Sequence, residues 1–373
     1  MPSASSTIPA VSPFQALLDG AVDGAIFDGV GFGQGTRVAS KPRALLSGSW
    51  DDWGILEEAL RQGKGGGLAG WFDYAGNFRF GDFSEWSVEE SEFPQGAAPA
   101  SQPIFQSGMN PQVWASRIQR IHEYIAAGDI YQVNLTHTMT ASWEEDPGKF
   151  YPCLRQASPA PYSCFVRLGD TVVLSASPEC FLEIDGSHII TRPIKGTRPR
   201  QAQPEDDEQA ARELSTSEKE RAELIMITDL ERNDLGQVCQ YGEVGVTGLC
   251  NLESFQHVHH MVSTIEGTLR PGISPLQALR ACYPGGSITG APKKRAREII
   301  TELEVGPRGI YTGALGYLGR DGRAVFNMAI RTLVVQGGTA TYGTGAGIVA
   351  DSDPAGEYEE TLIKAAGLFA ALG

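Results

Sequence analysis

The chain has 373 residues, of which 41% are hydrophobic and 20% charged, a soluble globular balance with length for one large domain or two coupled ones. Its formal charge of -15 disfavours nucleic acid and anionic membrane surfaces, so an anionic substrate needs a local cationic site or a metal. The opening "MPSASSTIPAVSP" lacks the basic start and apolar run of a secretion signal, and no stretch reaches the ~18 apolar residues of a membrane span. Six scattered cysteines without C-x-x-C read as reduced thiols, so a cytoplasmic protein without zinc or disulfides is expected.

The first dozen residues are expected to be disordered. Residues 88–112 read as loop and set off a short N-terminal region, 1–105, expected to pack on a core formed by 106–373. From Val113, "VWASRIQRIHEYIAAGDI" has helical apolar spacing and a stop at Gly128. The runs "YSCFVRL", "TVVLSA", "CFLEI" and "HIITR" predict strands. "QAQPEDDEQA" (201–210) predicts an acidic surface loop and "STSEKERAELIMITDLERNDL" a strong helix. "RTLVVQ" and "ATYGTGAGIVA" predict paired strands, and "PAGEYEETLIKAAGLFAAL" a closing helix. Without regular βαβ alternation or repeats, a mixed α/β or α+β layered fold is expected.

Two helices carry acidic pairs three residues apart, Glu220 with Glu223 and Glu357 with Glu360, and Lys364 follows one turn later. Four carboxylates suit a hard cation such as Mg2+. They equally suit a solvated surface, and Glu220 could close a capping box with Ser217. Glu179, in "SPECF", stands between proline and an apolar strand, where a carboxyl tends to keep its proton and can act as general acid or base, or is a plain strand-edge carboxylate. "PGGSITGAPKK" (284–294) is a glycine-rich turn entering a helix, but Ala291 and Pro292 stand where a Walker loop needs Lys-Ser/Thr. "GTGAG" (343–347) fails the dinucleotide fingerprint; both stretches read otherwise as tight turns. Arg331, expected inside a strand, needs an anionic partner, either a salt bridge or a substrate carboxylate. The histidines of "HVHH" (257–260) read as structural, though one could line a pocket. "TRPIKGTRPR" (191–200) concentrates Arg192, Lys195, Arg198 and Arg200 in this acidic chain.

Taken in order, "GDIYQVNL", "SASPECFLEI", "PIKGTRPR", "KERAELIMITDLERNDLGQVC", "HHMVSTIEG", "YPGGSITGAPKKRAREII", "GIYTGALGYLG" and "GAGIVADSDPAGEYEETLIKA" resemble the chorismate-utilising enzymes over residues 110–370, and the first hundred residues resemble them less. The resemblance implies an α+β sandwich of two sheet-and-helix halves with the active site in the cleft. It makes 106–373 the chorismate-binding catalytic domain and gives Glu220, Glu223, Glu357 and Glu360 to Mg2+. It also gives Arg331, Lys364 and Tyr311 to substrate carboxylates, Gly285, Ser287, Thr289, Gly345 and Gly347 to the pocket floor, and His260 to the pocket. Glu179 becomes the general acid for the departing 4-hydroxyl. Gln132 faces substrate where the water-adding branch carries a lysine base.

Lysine in "PIKGT", where anthranilate-forming members have alanine, implies the branch that forms 4-amino-4-deoxychorismate on the way to para-aminobenzoate and folate. A lysine in a partly desolvated pocket can act as a nucleophile. Lys195 is therefore expected to bond to C2 while ammonia enters at C4, with the neighbouring arginines in salt bridges. Cys180, where arginine is usual, and Lys294, where an apolar residue is usual, depart from the pattern. No cysteine elbow of a glutaminase is visible, so ammonia is expected from free ammonium or a separate glutamine amidotransferase subunit. The rival readings are an anthranilate synthase component and a non-catalytic anion-binding subunit.

Overall fold

The computed structural model describes residues 12–90, 92–255 and 258–373. The expected disorder before residue 12 and the reading of His257 lie outside them. Among the described residues the strands form two ten-stranded sheets, and every pairing is antiparallel. The first runs Gly290–Ala291, Gln132–Ser142, Thr339–Ile348, Thr332–Gln336, Thr171–Ser177, Tyr162–Leu168, Gly24–Phe27, Thr36–Ser40, Ser87–Glu89, with Gln106–Ser107 on Gln132–Ser142. The second runs Ile194–Pro199, Val258–Thr268, His188–Arg192, Cys180–Asp185, Ala324–Met328, Ala314–Gly319, Gly67–Phe72, Phe78–Phe83, Ala44–Gly48, with Gly245–Ser254 on Val258–Thr268.

Strand alternation explains the layers. Along Tyr162–Leu168, Cys164, Val166 and Leu168 enter a core shared with Trp71, Leu315 and Tyr317 of the other sheet, whereas Phe165 points away. The far side of the first sheet is covered by helices Pro13–Leu18, Pro147–Ala157 and Ala366–Leu372 through Leu17, Phe150 and Leu368. The far side of the second is covered by helices Gly54–Gln62, Glu218–Gly236 and Pro275–Cys282 through Leu56, Leu235 and Leu279. The fold is thus the expected two-sheet α+β sandwich.

The segment before residue 106 adds strands to both sheets, so it is hydrogen-bonded into the sandwich as well as packed on it. The acidic run 201–210 is largely helical, not a loop: Pro204–Thr216 is a helix. Pro204 opens it, and Glu205, Asp206 and Asp207 lie in a first turn where negative charge is favourable. The closing helix is two, Pro354–Lys364 and Ala366–Leu372. Among the described residues no helix is long and apolar enough to cross a membrane, and all six cysteines are free.

Candidate active site

A cavity of about 730 Å³ opens between the sheets' ends. Strand Ile194–Pro199 forms one wall, pairing Lys195 with Met261 and Thr197 with His260. Its register shifts between those two pairs, and Gly196 takes φ 75 there, a conformation that suits glycine. The bulge re-aims the strand, and Lys195 lines the cavity. Helix Glu218–Gly236 starts at Ser217, whose hydroxyl accepts from the Glu220 N–H, and so brings Lys219, Glu220 and Glu223 to the same space. Helix Pro354–Lys364 supplies Glu357, Glu360 and Lys364.

Glu179 is buried, and its carboxyl accepts from Ser287 Oγ of the glycine-rich turn. Burial pushes its pKa up to about 7, against the opposing pull of Ser287 and the Lys195 charge. A substantial share of the carboxyl is therefore protonated near neutral pH. Lys195 Nζ stands 3.8 Å from Glu223, whose pKa burial raises while Lys195 and Lys219 lower it.

Arg331 is not in a strand. It sits just before Thr332–Gln336 with φ 50, a strained value for an arginine. Among the described residues it has no ion-pair partner, and burial lowers its pKa. Its guanidinium lines the cavity beside Tyr342. His260 is neutral, pushed down to about 3 by burial and then by the Arg331 charge. Its Nδ1 is 2.9 Å from Thr197 Oγ1, and its buried Nε2 has no partner. His259, by contrast, is structural, bonded to Ser254 and Asp207.

Tyr311, Ser287, Gly345 and Gly347 line the cavity. Gly285 and Thr289 stand one step back: the Thr289 hydroxyl donates to the carbonyls of Gly285 and Gly286 and braces the turn. Gln132 is buried with an unpartnered Oε1. A methyl group on Gly347 would sit 2.5 Å from Gln132 Nε2 and 3.2 Å from Lys195 Nζ. Gly347→Ala is therefore expected to cut turnover ~10–100-fold, by displacing the Gln132 amide and crowding Lys195, at nearly unchanged thermal stability. Steady-state kinetics beside a melting curve checks this.

The four glutamates line one cavity, but among the described residues no three His, Cys, Asp or Glu side chains are gathered as metal ligands. Each has a cation instead: Arg198 3.1 Å from Glu220, Lys195 near Glu223, Lys219 3.6 Å from Glu357, and Lys364 2.6 Å from Glu360. The charges of Glu357 and Glu360 reach Glu223. Three of the four carboxylates therefore act on one space, as oxygen donors of the kind a hard divalent cation takes, though not gathered as ligands among the described residues. The sequence reading missed Lys219, which only the fold brings to the glutamates; Arg198 is in a salt bridge as expected, with Glu220 as the partner. The other arginines pair as expected, Arg192 with Glu253 and Arg200 with Asp207. Gly343–Gly347 lies within strand Thr339–Ile348, not in a turn.

The profile of the chorismate binding enzymes matches residues 67–370. Anthranilate synthase component 1 3 of Haloarcula marismortui is 45% identical over 73% of this chain and 54% of its own length. Aminodeoxychorismate synthase of Streptomyces griseus is 48% identical over 65% of this chain and 34% of its own. The chain thus spans about half and a third of these relatives' lengths. Anthranilate synthase component I from Streptococcus pneumoniae superposes with a TM-score of 0.78 at 27% identity, covering 88% of this chain and 90% of that one. A two-sheet sandwich with acid, lysine, arginine and glutamates around one cleft, matched by that profile over most of its length, places the chain in the chorismate binding enzyme family.

Proposed function

We propose that the chain converts chorismate and ammonia to 4-amino-4-deoxychorismate. The observation that carries this reading is the meeting of Lys195 and Glu179 in one cavity, close enough for the lysine charge to act on the carboxyl. Lys195 attacks as the free amine. Its nitrogen bonds to C2, the two conjugated ring double bonds shift along the ring, and the C4–O bond breaks as Glu179 gives the hydroxyl its proton, releasing water. Ammonia then bonds to C4, both ring double bonds return, and the C2–nitrogen bond breaks to free Lys195. The new C4 ammonium group returns a proton to Glu179. The sum is chorismate plus ammonia giving aminodeoxychorismate plus water.

Arg331, a cation without a protein anion among the described residues, is suited to a substrate carboxylate, and Lys364 and Tyr311 stand on the same cavity. Glu220, Glu223, Glu357 and Glu360 would hold Mg2+, which would neutralise the ring carboxylate of chorismate. Ammonia comes from a separate glutamine amidotransferase subunit or from ammonium, in the cytoplasm, and the product leads toward para-aminobenzoate and folate.

Relatives named anthranilate synthase match about as well as those named aminodeoxychorismate synthase, which keeps anthranilate formation as the second reading. Pure protein with chorismate, Mg2+ and ammonium at mildly alkaline pH separates the two. Aminodeoxychorismate without pyruvate is expected; anthranilate with pyruvate would replace this reading by the second.

A further inference from the structure

Glu231 is not part of the cavity lining. It stands behind the glycine-rich turn, on the buried stripe of helix Glu218–Gly236, and is 5% exposed. Thr191 Oγ1 donates to its Oε2 at 2.8 Å. Its Oε1 lies 3.3 Å from where a side chain on Gly286 would begin. The next residue, Ser287, donates to Glu179. Two buried carboxyls thus bear on adjacent residues of one turn. Glycine at 286 admits this, since a methyl group there would press on the Glu231 side chain.

The charged and titratable groups facing Glu231 are Glu179, Asp234, Lys293 and the buried thiol of Cys282. Lys293 Nζ lies 2.5 Å from Asp234, so its charge is largely committed there. Among the described residues Glu231 has no ion-pair partner and feels the Lys293 charge only weakly, beside a carboxyl to which the mechanism assigns a proton.

We infer that Glu231 is a positioning residue that forms one coupled pair with Glu179 across the glycine-rich turn, the two sharing a single ionisation so that Glu179 keeps a proton to give to the departing hydroxyl. This rests on the amination proposed above. Burial, then the charge on Glu179, pushes Glu231 to about 8, above the value of about 7 for Glu179. The wall carries one negative charge readily and a second reluctantly. While one charge is shared, part of the population keeps the proton on Glu179, so activity extends further to the alkaline side than a lone Glu179 would allow. Glu231 touches no reacting atom; it acts through Glu179.

The test uses the full chain and two measurements. The first is the pH dependence of kcat/KM for chorismate, at constant free ammonia, in wild type and Glu231→Gln. Glu231→Gln is expected to retain activity at low pH and to lose it on the alkaline side about one pH unit earlier. An active Glu231→Gln with an unmoved alkaline limb overturns the inference. The second follows the infrared carbonyl stretch of protonated carboxyls against pH, without substrate, in wild type, Glu231→Gln and Glu179→Gln. Measured against the buried carboxyls common to all three proteins, such as Asp28, Glu223 and Asp234, wild type is expected to lose two further acids in successive steps and Glu231→Gln one. In Glu179→Gln the remaining step moves to lower pH, because the like charge is gone. Independent titration of the two groups, or a single further acid in wild type, overturns the pairing. The infrared result stands whatever product chorismate gives, so failure of the pair and failure of the proposed reaction are distinguishable.

Discussion

Lys195→Ala is expected to lower aminodeoxychorismate formation by roughly a thousandfold or more, as removal of a covalent nucleophile does. The fold should survive. Lys195 is one partner of a 3.8 Å pair with Glu223, at a cavity wall rather than in a packed core, and Lys219 remains to balance the glutamates. Both side chains are largely buried, at 17% and 14% exposure, so the melting temperature should fall modestly, Glu223 keeping the Lys219 charge or taking up a proton, while the rate is lost. Lys195→Arg should fail as well, because a guanidinium cannot shed its proton to attack. Residual turnover in Lys195→Ala should place nitrogen at C2, since the group that occupies C2 during the reaction is gone. Wild type given chorismate and Mg2+ without ammonia should gain the mass of chorismate less one water, and Lys195→Ala should not. An alanine variant that still aminates C4 at near wild-type rate would end the nucleophile assignment. Unchanged kinetics with a collapsed melting temperature would make Lys195 structural.

Much of this was readable in the sequence where one element's period sufficed. All the apolar runs between 162 and 192 became strands, the first two buried on both faces, and the i, i+3 spacing of Glu220–Glu223 and Glu357–Glu360 put each pair on the cavity. What the sequence hid depends on contacts between distant elements. Of the cations that meet the glutamates, Lys364 follows Glu360 by four residues and was readable, whereas Arg198 reaches across from a bulged strand and Lys219 from the other helix, which no local spacing announces. Arg331 looked like a strand residue because its neighbours do; its φ of 50 follows from the junction between two strands of different sheets, Ala324–Met328 and Thr332–Gln336. The helix Pro204–Thr216 was masked by composition, since it buries little beyond Leu214 and is favoured mainly by its acidic first turn. Glu231 did leave a signal. Leu224, Ile227, Thr228, Asp234 and Leu235 mark the buried stripe of its helix, and a glutamate at 231 falls on that stripe.

The largest stability effect is expected behind the cavity floor, at Glu304 and Arg308. Both side chains are almost wholly buried, at 6% and 2% exposure, and their ends lie 2.7 Å apart. Arg308 also donates to the carbonyls of Ile288 at 2.8 Å and Asn134 at 2.7 Å and lies over the Tyr74 ring. Glu304 accepts from both the backbone N–H and the hydroxyl of Thr136. The pair thus ties the end of helix Lys293–Leu303 to strand Gln132–Ser142 and to the turn that carries Ser287. Glu304→Ala leaves a guanidinium buried without its counter-charge, a loss of about 3–5 kcal/mol. Replacing both partners, as Glu304→Leu with Arg308→Met, removes both charges and should recover part of that loss, because a buried pair's own net contribution is small. Denaturant unfolding of the single and double variants reads this directly; a double variant as unstable as Glu304→Ala would mean that the carbonyl contacts of Arg308, not the ion pair, hold the floor. Since Asn134 and Ile288 both line the cavity, Glu304→Ala should lose activity even below its unfolding midpoint, in proportion to how far the floor relaxes.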